Sequence, residues 1–341
     1  MSAGTPLAGL DPGALFACAG APRCALVAVS GGPDSMALLH LAAGWRQGGG
    51  PPIHAATVDH DLRAGSRAEA EAVAEWAAAL NIPHTILTWT GERPGTRVQE
   101  LARQARYRLL EDLAVEIGAD LLLTGHHGDD QAETILFRLL RGSGVAGLAA
   151  MAPVSWRGGL RLARPLLDLS KADLVAFFEA VGQPFFQDPS NRDPRYARTH
   201  LKTTLADLAA LGLGRDELLR LGRRAARADE ALRAYVADLR ANLNPLVAEG
   251  RFECAAGSLR SVPMEALLRI LEAEIARIGG GAPRLDRLES LAAQAAAALA
   301  AGVAFRGALA GALVRVAPSG QLVVVKAPPR REMAPESPPQ A

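Results

Sequence analysis

Hydrophobic positions in the first half of the chain follow two alternating rhythms. Short apolar runs at Ala25–Ser30, His54–Val58, His84–Trp89, Leu121–Thr124 and Arg161–Leu167 predict strands. Between and after them, apolar residues three and four apart predict helices over Asp34–Trp45, Ser66–Leu80, Val98–Ile117 and Asp129–Leu140, with a last one ending near Val181. Ser66 with Glu69, and Ser170 with Asp173, read as helix-opening caps. Strands alternating with helices of this length build βαβ units. The expected class is therefore α/β, a parallel sheet with helices on both faces, whose ligand lies beyond the carboxyl ends of the strands.

From about Leu201 the rhythm changes. Leu201–Arg240 and Pro263–Leu299 are helical in pattern, and strand-like pieces follow at Ala312–Val316 and Leu322–Lys326. The expected organisation is an N-terminal extension (1–22), an α/β domain (23–200), and a mainly helical domain with a small β element (201–328). A proline-rich tail (329–341) is expected to be disordered.

Composition narrows the setting without naming a chemistry. At 49% hydrophobic and 21% charged, 341 residues have ample material for real cores. A net charge of +1 excludes a bulk field that would draw in nucleic acid or membrane, while leaving room for a local basic face. Cys18, Cys24 and Cys254 form no C-x-x-C pair and no disulfide framework, which suits a reducing, cytoplasmic setting. No signal-like start or long strongly apolar run predicts a membrane association. The oligomeric state stays open, a homodimer included.

The most informative segment joins the first strand to its helix through Ser30-Gly31-Gly32-Pro33-Asp34-Ser35. Two glycines let the backbone turn tightly and approach a ligand, and the helix start offers amides and dipole to an anion. It is not a Walker A loop, because none of the three lysines (Lys171, Lys202, Lys326) follows a glycine. Asp59 and His60 end the second strand, where an Asp serves equally well as a turn former. Asp130 and Glu133 share one face of a starting helix, and Asp129 faces Glu133. Three acids there either complement the dipole or await a cation, a metal or an amine. His126 and His127 precede them, with no cysteine nearby to suggest zinc. Arg106 or Arg108 reads as a phosphate-neutralising group, and Arg103, Arg106 and Arg108 read equally well as a solvated face. Arg220, Arg223, Arg224 and Arg227 form a helical stripe that suits RNA phosphates, yet Asp216, Glu217, Asp229 and Glu230 lie close enough to neutralise it.

The strand–SGGPDS–helix string resembles the pyrophosphate loop of the ATP pyrophosphatases, a Rossmann-like scaffold. Its further segments resemble the tRNA(Ile)-lysidine synthase family over about residues 25–205. These are Thr124–Thr134, Arg141–Leu148, Arg164-Pro-Leu-Leu167, and Phe186-Gln-Asp-Pro-Ser-Asn191 with Tyr196 and Arg198. The resemblance implies ATP and Mg²⁺, free L-lysine, and an isoleucine tRNA with a CAU anticodon. It assigns Ser30, Gly31, Gly32, Pro33, Asp34 and Ser35 to ATP, and Asp34 and Asp130 to Mg²⁺ and catalysis; position beside the first strand adds Asp59 and His60 to the ATP side. Arg106 goes to the activated intermediate and Glu133 to lysine, where the need for a carboxylate to bind the ammonium adds Asp130. The segment joining the domains offers Asn191, Arg198 and Lys202 to tRNA, and the helical stripe adds Arg220 and Arg224. Asp61, Thr199 and Lys202 depart from the family's usual residues. A tRNA thiolase on the same scaffold is the neighbouring alternative, and a non-catalytic nucleotide- or RNA-binding module is the more distant one.

Overall fold

The computed structural model describes residues 11–60, 65–90, 98–182, 184–186 and 197–328. They belong to two compact units, Met1–Ala226 and Arg227–Ala341. The first ten residues and the tail 329–341 lie outside the described set.

The first unit is built on a six-stranded sheet of β1 (Ala25–Ala28), β2 (Ile53–Asp59), β3 (His84–Thr88), β4 (Leu121–Leu123), β5 (Val154–Arg157) and β6 (Leu160–Ala163), in the order β3-β2-β1-β4-β6-β5. All neighbours are parallel except β5, which pairs antiparallel with β6. The helices are α1 (Pro12–Leu15), α2 (Pro33–Gln47), α3 (Ser66–Ala79), α4 (Val98–Glu116), α5 (Gly128–Leu140), α6 (Val145–Leu148), α7 (Lys171–Val181), α8 (Ala197–Ala210) and α9 (Arg215–Asn242). Alternate residues of the central strands serve two different cores. Ala25, Val27 and Ala55 pack with α2 and α3, whereas Leu26, Ala56 and Leu122 pack with Tyr107, Leu110 and Leu113 of α4. Burial on both faces explains why β1 and β4 read as unbroken apolar runs.

Four local expectations change. The predicted strand Arg161–Leu167 stops at Ala163, because Pro165 cannot donate to a ladder and the following residues turn. The edge strand β5 was not expected, and the pair Gly158-Gly159 turns it into β6. Helix α3 is capped by Gly65 in the left-handed region, not by Ser66, whose hydroxyl donates to Asp59 Oδ1 at 2.7 Å. The helical pattern Leu201–Arg240 breaks at Gly212, with φ near +89°, into α8 and α9. The Ser170/Asp173 cap forms as read, each side chain meeting the other's backbone N–H.

The two units divide inside α9. Leu218 packs with Ala132, Ile135 and Leu136 in the first unit, while Val236 and Leu239 pack on the second core. The second unit adds α10 (Met264–Gly279) and α11 (Leu285–Ala301) against a five-stranded antiparallel sheet. Its strands are β7 (Leu246–Ala248), β8 (Arg251–Ala255), β9 (Phe305–Leu309), β10 (Ala312–Ala317) and β11 (Gln321–Lys326), ordered β7-β8-β11-β10-β9. Only the last two were foreseen. One sheet face is buried, through Phe252, Val314, Val316, Leu322 and Val324, against Leu271, Ile275, Leu288 and Ala292. Two buried acids are held by arginines: Asp229 by Arg269 at 2.7 Å, and Glu274 by Arg240 and Arg277.

Helix α10 ends where the β9–β10 turn crosses it. A Cβ on Gly279 would stand 2.0 Å from the Ala310 carbonyl oxygen. Gly279→Ala is therefore expected to destabilise the second unit by about 3 kcal/mol, at the upper end of overpacking costs. A urea titration of the full chain, followed by far-UV circular dichroism, would show the shift; an unchanged midpoint would mean the turn yields freely.

Candidate active site

Strand order reverses between β1 and β4, so the loops after these two strands diverge and open a crevice at the carboxyl edge of the sheet. The two segments that looked most reactive, Ser30–Ser35 and Thr124–Glu133, both start there. Their close approach depends on Gly125, whose added Cβ would lie 2.9 Å from the Asp34 carbonyl oxygen and 3.2 Å from Ser35 Cα.

The first loop is shaped by its own serines. Ser35 Oγ accepts the Ser30 N–H at 3.0 Å and donates to the Gly32 carbonyl at 3.0 Å, folding the turn back on itself. The Ser30 amide is thus spent inside the loop and not directed at a ligand. Gly31 takes φ near +79°, and its carbonyl accepts the Phe186 N–H at 2.9 Å. Gly32 caps α2 and Pro33 is its first residue, with no N–H to give. Helix geometry leaves the amides of Gly32, Asp34 and Ser35 without intrahelical acceptors. Together with Gly31 they form a short run of donors at a positive helix end, which suits a diphosphate.

Across the crevice, His127 caps α5 and is surrounded by acids. Its Nε2 lies 3.5 Å from both Asp34 Oδ2 and Asp130 Oδ2, and its Nδ1 lies 3.5 Å from Asp129 Oδ2. Its Nδ1 accepts the Asp129 N–H at 3.2 Å, which needs an unprotonated Nδ1. Burial also disfavours the charged ring, but hydrogen bonding to Asp129 and Asp34, with the charges of Asp130 and Asp34, pushes its pKa up to about 9. Charging the ring would thus exchange the cap for a bond to the Asp129 carboxylate. Burial likewise opposes ionisation of Asp129. His127, the Lys171 backbone N–H at 2.8 Å and Arg215 outweigh it and hold this carboxyl at about 2. Asp129 therefore anchors α7 and α9. Asp130 Oδ2 accepts the His127 N–H at 3.2 Å, so part of its work is capping, the plainer of the two readings its position allowed.

The remaining predicted residues are distributed as follows. Glu133 is buried in α5. Asp59 is buried at the end of β2 and bonded to Ser66, which fastens α3 to the sheet. His60 follows it and meets Arg106 of α4 at 3.3 Å. His126 Nδ1 lies 3.0 Å from Thr124 Oγ1. Arg220 pairs with Glu217 at 2.6 Å, Arg223 lies 3.6 Å from Asp168, and Arg224 is exposed. Asn191 lies outside the described residues, as do the side chains of Arg198 and Lys202. One residue the sequence did not single out is Lys171, whose Nζ stands 3.9 Å from Asp34 Oδ2. Only the packing of α7 on α2 brings it there, and nothing local in the sequence signals that.

Asp34 Oδ1 is buried and accepts no hydrogen bond, the condition expected of an oxygen meant for a hard cation. Among the described residues no three His, Cys, Asp or Glu side chains gather to enclose an ion. Mg²⁺ asks for no such cage, since it is commonly held by one or two carboxylates with water and substrate phosphates.

A glycine-bent phosphate loop on the switch point of a parallel sheet defines a nucleotide-binding α/β domain of the PP-loop class, and the PP-loop domain family matches residues 15–209. Over 317 residues the chain is 49% identical to the tRNA(Ile)-lysidine synthase of Methylobacterium nodulans, covering 92% of this chain and 93% of that one. It is 44% identical to the tRNA(Ile)-lysidine synthase of a Bradyrhizobium species, covering 96% of each. The chain belongs to the tRNA(Ile)-lysidine synthase family. Among solved structures, a U34-tRNA thiolase from Methanococcus maripaludis superposes with a TM-score of 0.51 at 17% identity, over 61% of this chain and 72% of that one. That likeness concerns the fold alone. No helix among the described residues is long and apolar enough to cross a membrane.

Proposed function

We propose that the chain converts the wobble cytidine of a CAU-anticodon isoleucine tRNA to lysidine in the cytoplasm, in two steps at the β1–β4 crevice. In the first, the 2-oxo oxygen of the cytidine attacks the α-phosphorus of ATP and pyrophosphate leaves. In the second, the ε-amine of free lysine attacks C2 and AMP leaves. The observation that carries this reading is the convergence of the Ser30–Ser35 loop with the acid-rich start of α5.

The amides of Gly31, Gly32, Asp34 and Ser35 hold the leaving diphosphate, and Lys171 stands beside Asp34 to share its charge. Asp34 and Asp130 would hold Mg²⁺, which when bound would neutralise phosphate charge. Arg106 stabilises the adenylylated cytidine. Lysine brings a different demand. With a pKa of about 10.4, roughly one amine in a thousand or fewer is a nucleophile at neutral pH, so a carboxylate must bind the ammonium and take its proton. Glu133 and Asp130 are assigned that work. We assign tRNA contact to Asn191, Arg198, Lys202, Arg220 and Arg224; the exposure of Arg224 favours it, and the Glu217 pair weakens the case for Arg220.

The test mixes the purified chain with ATP, Mg²⁺, labelled lysine and the CAU-anticodon tRNA. AMP and pyrophosphate release with one lysine incorporated per tRNA is expected; ATP turnover without incorporation would defeat the reading. Glu133→Gln should raise the KM for lysine roughly 10- to 100-fold, the worth of a charged hydrogen bond, with the KM for ATP kept. An unchanged lysine requirement would remove Glu133 from the mechanism.

A further inference from the structure

His60 lies just past the end of β2, and its Nε2 sits 3.3 Å from both Nε and one terminal nitrogen of Arg106. A guanidinium has only donors, so the imidazole must be the acceptor, neutral and with its proton on Nδ1. Several features fix it in that state. Its ring stands edge-on to the buried Trp89, with centroids 5.9 Å apart at 82°. Its Nδ1 is buried and has no hydrogen-bond partner, so no acceptor there stabilises a charged ring. Burial and the Arg106 charge lower its pKa to about 4, against the pull of Asp59, so it stays uncharged at neutral pH.

This arrangement is unusual for an arginine. A carboxylate would hold the guanidinium more tightly, through two charge-assisted bonds. It would also offset the positive charge within a few ångströms, where the offset is strongest. A neutral nitrogen orients the guanidinium and leaves its whole charge for another anion. The exposed surface of Arg106 faces solvent at this end of the sheet.

We infer that His60 is a positioning residue for Arg106: it aims the guanidinium as a neutral acceptor, so that the undiminished charge meets the phosphate of the reacting nucleotide. The inference rests on the assignment of Arg106 to adenylylation, and it replaces direct contact with adenosine as the main role of His60. An orienting contact of this kind lowers kcat when lost, because misplacement of a charged group costs rate before it costs substrate affinity.

The experiment measures adenylylation in the full chain with ATP, Mg²⁺ and tRNA for Arg106→Ala, His60→Ala, His60→Gln and His60→Glu, with melting temperature as a control for folding. Gln and Glu have nearly the same shape, place an oxygen near the Nε2 position, and differ in charge. His60→Ala is expected to lose roughly 10- to 100-fold in kcat with the KM for ATP within about threefold of normal. His60→Gln should recover most of that loss, and His60→Glu should not, because it neutralises the guanidinium it holds. Equal rates for Gln and Glu would overturn the neutral-acceptor role, since a packing role would not tell them apart. Full activity of His60→Ala beside an impaired Arg106→Ala would overturn the positioning role alone. Full activity of Arg106→Ala would overturn the assignment of Arg106 itself, and the inference with it.

Discussion

Asp34→Ala should abolish adenylylation while the chain remains folded. The side chain is 28% exposed at the first turn of α2, and its charged partners among the described residues are the His127 ring and Lys171, both at 3.5 Å or more. It therefore supports little of the core, and its loss should leave the melting temperature within a few degrees. Its place in the chemistry is different. Oδ1 is buried without a donor, and Oδ2 faces the His127 ring and the Lys171 ammonium beside the amides of the Ser30–Ser35 loop. Asp34 would act through the Mg²⁺ it would hold, and losing such a clamp on developing phosphate charge costs about 10²- to 10³-fold in kcat. Asp34→Asn should be nearly as damaging, because a neutral amide is a poor ligand for a hard dication. AMP release from labelled ATP in the presence of tRNA measures both variants. Rates within threefold of normal would show that the carboxylate has been misassigned.

Gly125→Ala is expected to be the second most damaging change, although the residue bears no functional group. The added methyl would meet three backbone atoms of the neighbouring loop, Asp34 O, Asp34 C and Ser35 Cα, between 2.9 and 3.2 Å away. Backbone cannot rotate aside as a side-chain tip can, so the two loops must separate. Asp34 would then move from His127 and Asp130, and the amides of Asp34 and Ser35 would move with it. A displacement of about 1 Å in reacting groups can cost roughly 10²-fold, and that loss is expected in kcat with folding retained. Single-turnover AMP formation, compared with urea stability, separates the two effects. Normal turnover would mean that the loop contact does not position the site.

The reactive part of this site was legible because it is local. A strand, two glycines and a capped helix occupy Leu26–Met36 without interruption, and the physics of a helix start needs no distant partner. The same holds for the Ser170/Asp173 cap. What stayed hidden depends on packing across the sheet. The Ser66 hydroxyl left its expected cap because Asp59, seven residues earlier, lies at the end of the adjoining strand. His126 and His127 read only as neighbours of the acids, and the three carboxylates around the His127 ring include one contributed by α2. Lys171 reaches Asp34 only through the packing of α7 on α2. Strands β5 and β7 are short and poorly buried, so their alternation is weak, while β8 alternates, with Phe252 and Cys254 buried, over only five residues. Their Gly-containing turns, Gly158-Gly159 and Glu249-Gly250, were the usable signals.

The most direct measurement is a crystal structure of the chain with Mg²⁺ and an ATP analogue that cannot be split between the α and β phosphates. The β and γ phosphates are expected against the backbone N–H groups of Gly31, Gly32, Asp34 and Ser35, with the α phosphate turned toward Asp130. Nucleotide density lodged at another edge of the sheet, with that bend untouched, would contradict the account.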